Sequence, residues 1–222
     1  MLQILSKVRT PMGVPSKFKN FKAAALVLLL AIGSVASASH YRYGNMTYTT
    51  VPGQPRTVDI TSQQACRYTY FNVPVGSTTG SVGTLYTAGG NSSIYLDVTT
   101  VNVAEDWFFG TTTKRVTFPA DGDYTIYWSS CCRIGSLQNN ASQGQRMEAI
   151  VTIDSRKNNG PSSTMSPIVN MQQGLSPATF LIPAFDPDGD PLSFRIATSA
   201  ETGVNPLAGF SVTSGGLASF NT

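Results

Sequence analysis

The sequence has almost none of the residues on which acid–base catalysis rests: its 222 residues include one histidine, His40. With a single imidazole and no HExxH or GxSxG pattern, neither a zinc-protease helix nor a hydrolase nucleophile elbow can be built. Cysteine is scarce too, three residues with no CxxC spacing, so a structural zinc site lacks its ligand set. Charged residues make up 12% of the chain and form no basic stripe, which excludes a nucleic-acid surface. Glu105, Asp106 and Glu148 could in principle supply a glycosidase carboxylate pair, but acidic residues in β-rich text are far more often solvated turns. The chain reads as non-enzymatic.

There is one long apolar run, Ala23 to Ile32 within AAALVLLLAIGSVASAS. It is preceded by five of the fifteen basic residues and followed by all twelve acidic ones. A basic lead, a short apolar core and the small residues Ala36-Ser37-Ala38 describe a secretory signal, residues 1–38. The alternative is an uncleaved anchor, although the run falls short of the ~20 apolar residues a spanning helix needs. Removing residues 1–38 leaves ten basic against twelve acidic residues, a formal charge of −2, so the apparent basicity belongs to the export segment. The expected location is secreted or cell-surface, with membrane contact only through the export signal or an anchor outside this chain.

In an oxidising compartment Cys66, Cys131 and Cys132 would form one disulfide and leave one thiol. A bridge from Cys66 to one of the adjacent pair constrains the unfolded chain most and is the favoured pairing; a Cys131–Cys132 ring is the alternative.

From residue 39 to 154 the text alternates β-like runs with Pro-Gly, Gly-Gly and Asp-Gly turns: YGNMTYTT, RTVDITS, RYTYFNV, SSIYLDVTTV, KRVTF, DYTIYWSS and MEAIVTID. This spacing predicts an all-β chain with an N-terminal β-sandwich. In DYTIYWSS, Tyr124, Ile126 and Trp128 share one face and are the expected core. Residues 155–167, SRKNNGPSSTMSP, are polar and aperiodic and read as a linker. Five short β runs follow (PIVNM, ATFLIPAF, PLSFRIAT, GFSVTS, GLASF), too few to close a second sandwich. Residues 168–222 are therefore expected to be the opening part of a further domain in a longer protein.

Within that part FDPDGDPLSF, residues 185–194, sets Asp186, Asp188 and Asp190 at alternate positions among Pro187, Gly189 and Pro191. Pro and Gly forbid a helix there, so the cluster is a turn, and its carboxylates either cap backbone amides or gather around a hard cation. Ala184, the Asp186-x-Asp188 pair and Leu192-Ser193-Phe194, with Asn159-Gly160-Pro161 upstream, resemble the acidic turn of cadherin-like and related immunoglobulin-like repeats of large adhesins. That resemblance implies a start of a second sandwich, and a calcium ion held at the junction by Asp154, Asn158, Asn159, Asp186, Asp188 and Asp190. It also implies a role in adhesion or structural spacing, the partner being a cell-surface protein or glycan. The alternative is a carbohydrate-binding or spacer module of a larger secreted hydrolase. Tyr41 and the Trp107-Phe108 pair could present an aromatic binding surface, or simply pack in the core.

Overall fold

The strands of the first sheet owe their existence to period-2 patterning. In the computed structural model, which describes residues 41–221 apart from 136, 138 and 173, β2 (Thr57–Arg67) points Val58, Ile60, Ser62, Gln64 and Cys66 inward. It lies between β1 (Tyr41–Thr50) and β6 (Trp107–Thr117), with β5 (Asp97–Asn102) outermost, all antiparallel. The second sheet runs β4 (Gly90–Ile94), β3 (Gly83–Thr87), β7 (Gly122–Ser130), β8 (Gln145–Ile153). The inner faces share one core, filled by Val58, Ile60, Phe108, Leu85, Ile126, Trp128 and Val151. Each such side chain contributes about 1.5–3 kcal/mol by leaving water. The chain is all-β, and this half is a β-sandwich.

Of the expected core trio, Ile126 and Trp128 are buried, and Tyr124 is half-buried against Phe118 at a ring separation of 4.5 Å. RYTYFNV departs from its strand reading. Tyr68–Phe71 is a single helical turn, ended by Asn72 in the left-handed region at φ 48°.

The cysteine pairing also differs from the favoured one. Cys131 and Cys132 are joined to each other, while Cys66 is a buried thiol. The strand register explains this: Cys66 faces the core on β2 opposite Phe108, whereas the other two follow the end of β7. Burial pushes the Cys66 thiol up to about 12.

Beyond β8 the chain continues as β9 (Ser162–Ser163), paired with β11 (Ala184–Phe185), and a small sheet of order β10 (Ala178–Leu181), β13 (Leu217–Phe220), β12 (Phe210–Val212). PIVNM and PLSFRIAT form no strand. The described residues fall in one compact unit; the expected export segment, residues 1–38, and His40 lie outside them.

Gly83 shows how closely the second sheet is packed. Its φ is +146°, and a Cβ there would lie 2.5 Å from the Trp128 indole nitrogen and 2.8 Å from the Ser129 carbonyl oxygen. Gly83→Ala should lose about 1–3 kcal/mol in urea unfolding. Gly80→Ala, which meets nothing within 4 Å, should stay near wild type.

Candidate functional site

The residues expected to hold calcium lie where the chain leaves β8 and crosses to the acidic turn. Asp154 closes a local loop: its carboxylate accepts from the Arg156 amide (2.8 Å) and Nε (2.7 Å). Those bonds hold its carboxyl below the usual carboxylate range. Lys157 then takes a left-handed φ of 58°, and the Asn158 amide turns to the Asn159 carbonyl oxygen at 2.9 Å.

Asn159 is the bridge. Its Oδ1 accepts from the Thr50 amide at 2.8 Å, at the end of β1, while its own amide and Nδ2 donate to the two Asp188 oxygens at 2.6 and 2.9 Å. One side chain thereby ties the first sheet to a turn 29 residues further on. Gly160 follows, donating to the Tyr48 carbonyl (2.8 Å) and accepting from the Thr47 hydroxyl (2.8 Å). A Cβ at Gly160 would stand 2.9 Å from the Tyr48 ring, so glycine is what lets the strap lie flat on β1. Asn45 then donates to the Ser163 carbonyl at 3.2 Å. The stretch read as a linker is thus hydrogen-bonded along the edge of the first sheet.

The acidic turn closes on itself. Asp186 Oδ1 accepts from the amides of Asp188 (2.8 Å) and Asp190 (3.3 Å), and Gly189 turns the chain at φ +83°. Among the described residues no group of three or more His, Cys, Asp or Glu side chains gathers as a metal centre would. Of the six expected ligands, Asp188 and Asn159 meet directly. Asp186 caps the turn, Asp190 is exposed, Asp154 engages Arg156 and Asn158 engages its neighbour's carbonyl. As hydrogen-bonded here, the Asp186 and Asp188 carboxylates accept from backbone amides.

Two of the three aromatic positions pack against the core. Phe108 is fully buried, because β6 alternates and its even-numbered residues there face the core. Tyr41 stacks on Trp128 with ring centroids 5.1 Å apart, and burial pushes its phenol well above the usual range. Trp107 is half-buried at the start of β6, its indole N–H donating to Glu105 at 2.9 Å.

Beside Trp107, Asp106 adopts a left-handed φ of 55° and anchors the helical turn. It accepts from Arg67 Nε (2.7 Å), the Thr69 amide (2.8 Å) and the Thr69 hydroxyl (3.1 Å), and pairs with Arg42 at 3.6 Å. Partial desolvation pushes its carboxyl up, but the bonds from Thr69 and Arg67 outweigh it and hold it below the usual range. A carboxylate depressed on folding contributes stability that is present above its unfolded pKa of about 3.9 and lost as pH falls through the folded value. Asp106→Asn should therefore lower Tm at pH 7 and flatten the acid limb of the Tm–pH curve below about pH 4.

Comparison with known proteins places this architecture. Residues 42–154, about half the chain, match the family described as integrin beta-like protein A-E, N-terminal. Integrin beta-like protein C of Dictyostelium discoideum is 33% identical over 162 residues, covering 65% of this chain and 8% of that protein. Integrin beta-like protein A of the same organism is 29% identical over 214 residues, 87% of this chain and 11% of that protein. Protein E of that organism is 30% identical over 165 residues, 67% and 8% respectively. The chain thus spans 8–11% of the length of these relatives. No solved structure matches it. The matched residues run from the second residue of β1 to the end of β8, so the chain belongs to the integrin beta-like protein A-E N-terminal family.

Proposed function

We propose that this chain is an exported, non-enzymatic module of a larger cell-surface or secreted protein, working in adhesion. The observation that carries the reading is its membership of the integrin beta-like family over the whole sandwich. The export segment at residues 1–38, the sandwich from 39, the connecting 155–167 and a cadherin-like opening at 168–222 form the domain plan of this proposal. The Asn159–Asp188 bridge supports a stiff connection between the two halves, suited to presenting a binding surface at a distance from its attachment.

Adhesion is tested by coating beads with the purified chain and measuring their attachment to cells of the source organism. Attachment above that of albumin-coated beads, competed by soluble chain, is expected; attachment equal to albumin would refute the reading.

Calcium is the finer part of the proposal. The residues that would hold the ion are Asp154, Asn158, Asn159, Asp186, Asp188 and Asp190, in place of the Asn159–Asp188 hydrogen bonds. Thermal unfolding in chelator and in millimolar calcium decides the matter, since a ligand of the folded state at a hundredfold excess over its Kd adds about 2.7 kcal/mol. A calcium-induced rise in Tm that vanishes in Asp186→Ala/Asp188→Ala is the outcome this proposal requires. An unchanged Tm in calcium, with Asp188→Ala alone lowering it by about 2–4 °C through loss of the Asn159 bonds, would leave the turn a hydrogen-bonded strap.

A further inference from the structure

A second aromatic cluster, Tyr43 with Phe109, lies on the outer face of the first sheet. A register shift in β1 between Tyr41 and Tyr43 interrupts the alternation. Tyr41 stays opposite Cys66 and turns into the core, while Tyr43 lands opposite Ala65 and turns out. Bulges of this kind re-aim side chains beside functional surfaces. On the other side of Ala65, in the same cross-strand row, stands Phe109 of β6. Directly opposed residues of antiparallel strands share a face, and alanine between them leaves the two rings stacked above it, centroids 6.5 Å apart.

These rings form one wall of a cleft of about 370 Å³. The other wall comes from β9, β11 and the residues after β9: Phe185, Ser162, Thr164 and Met165. Phe185 is 53% exposed, a large cost for a phenylalanine whose strand could have carried a polar residue at that position. The strap on β1 is what brings this wall to the sheet, through the Asn45 bond to Ser163.

The lining defines the chemistry. No charged residue contributes to it, so a phosphate or carboxylate group would enter without a counter-charge. A purely hydrocarbon occupant is disfavoured for the opposite reason. The Gln63 amide and the Thr164 hydroxyl face the cleft without a protein partner among the described residues, and covering them with alkyl groups would leave them unpaired. Three aromatic rings for the C–H face of a pyranose, together with neutral donors and acceptors for its hydroxyls, are what a neutral sugar requires. The volume lies in the range of ligand sites and accommodates a terminal sugar with part of its neighbour.

We infer that the cleft between Tyr43, Phe109 and Phe185 binds a neutral carbohydrate, the terminal residues of an uncharged glycan. This names the ligand class of the adhesive role proposed above and rests on that reading for its biological setting, though not for its chemistry. The larger cleft at the other end of the sandwich, about 530 Å³, carries charges of both signs and selects no comparable ligand.

The test is calorimetric titration of the purified chain with neutral oligosaccharides ending in hexose or N-acetylhexosamine, alongside Phe185→Ala and Gln63→Ala. Both residues lie outside the hydrophobic core, so both variants should keep the wild-type Tm. The inference expects at least one sugar to bind, with affinity falling about tenfold or more in each variant. It is overturned if no sugar binds, or if binding survives both substitutions. Attachment of chain-coated beads to cells before and after periodate oxidation of surface glycans separates the two claims. Attachment that resists periodate and both substitutions would sink the carbohydrate site and leave adhesion standing. Sugar binding without cell attachment would leave the site standing and sink adhesion.

Discussion

The architecture beyond the sandwich depends on one constraint: the chain leaving β8 is pinned to the edge of β1 by Asn159 and Gly160. An edge strand exposes unpaired amides and carbonyls that invite association with other chains. Here the Thr50 amide is taken by Asn159 Oδ1 and the Tyr48 carbonyl by the Gly160 amide. The same asparagine holds Asp188, so covering an edge and positioning the acidic turn are one event. Glycine at 160 is set by the Tyr48 ring beneath it.

Two consequences follow for surfaces. The strap carries β9 to the outer face of the first sheet, which turns Tyr43 and Phe109 from an isolated aromatic pair into one side of a cleft. A second tie comes from the segment between β7 and β8, where the Asn140 amide donates to the Asn205 carbonyl at 2.7 Å and its Oδ1 accepts from the Asn205 amide at 3.3 Å. Together these polar contacts attach a part of the chain whose buried apolar residues, among those described, are Ala178 and Ala218.

Much of the fold was legible because β-branched and aromatic residues alternate cleanly in β1, β2, β7 and β8. What was missed has physical reasons. WFFGTTT is missing from the β-like runs read in the sequence, and its Gly110 marks close strand packing: a Cβ there would lie 2.8 Å from the Asp97 carbonyl oxygen. RYTYFNV has the composition of a strand, but Asp106, distant in sequence, captures Thr69 and Arg67 and winds the segment into a turn. Tyr41 and Tyr43 sit two apart and should share a face; the bulge that separates them leaves no mark in composition. The register is what sets Tyr43 and Phe109 side by side on the outer face, across Ala65. At the junction the sequence identified Asn159 and Asp188 by resemblance to a calcium site, and the structure joins the two by hydrogen bonds.

Residues 155–167 form a strap held to the first sheet. Native-state hydrogen exchange at the Gly160 amide tests it most directly, because that proton is bonded to Tyr48 only if the strap is seated. Protection should be comparable to that of the β1–β2 ladder amides around Tyr48, as when both open in one cooperative unit. Exchange at the rate of an unstructured peptide, with the ladder still protected, would mean that the segment is a free linker and that the junction and the cleft built on it do not persist in solution.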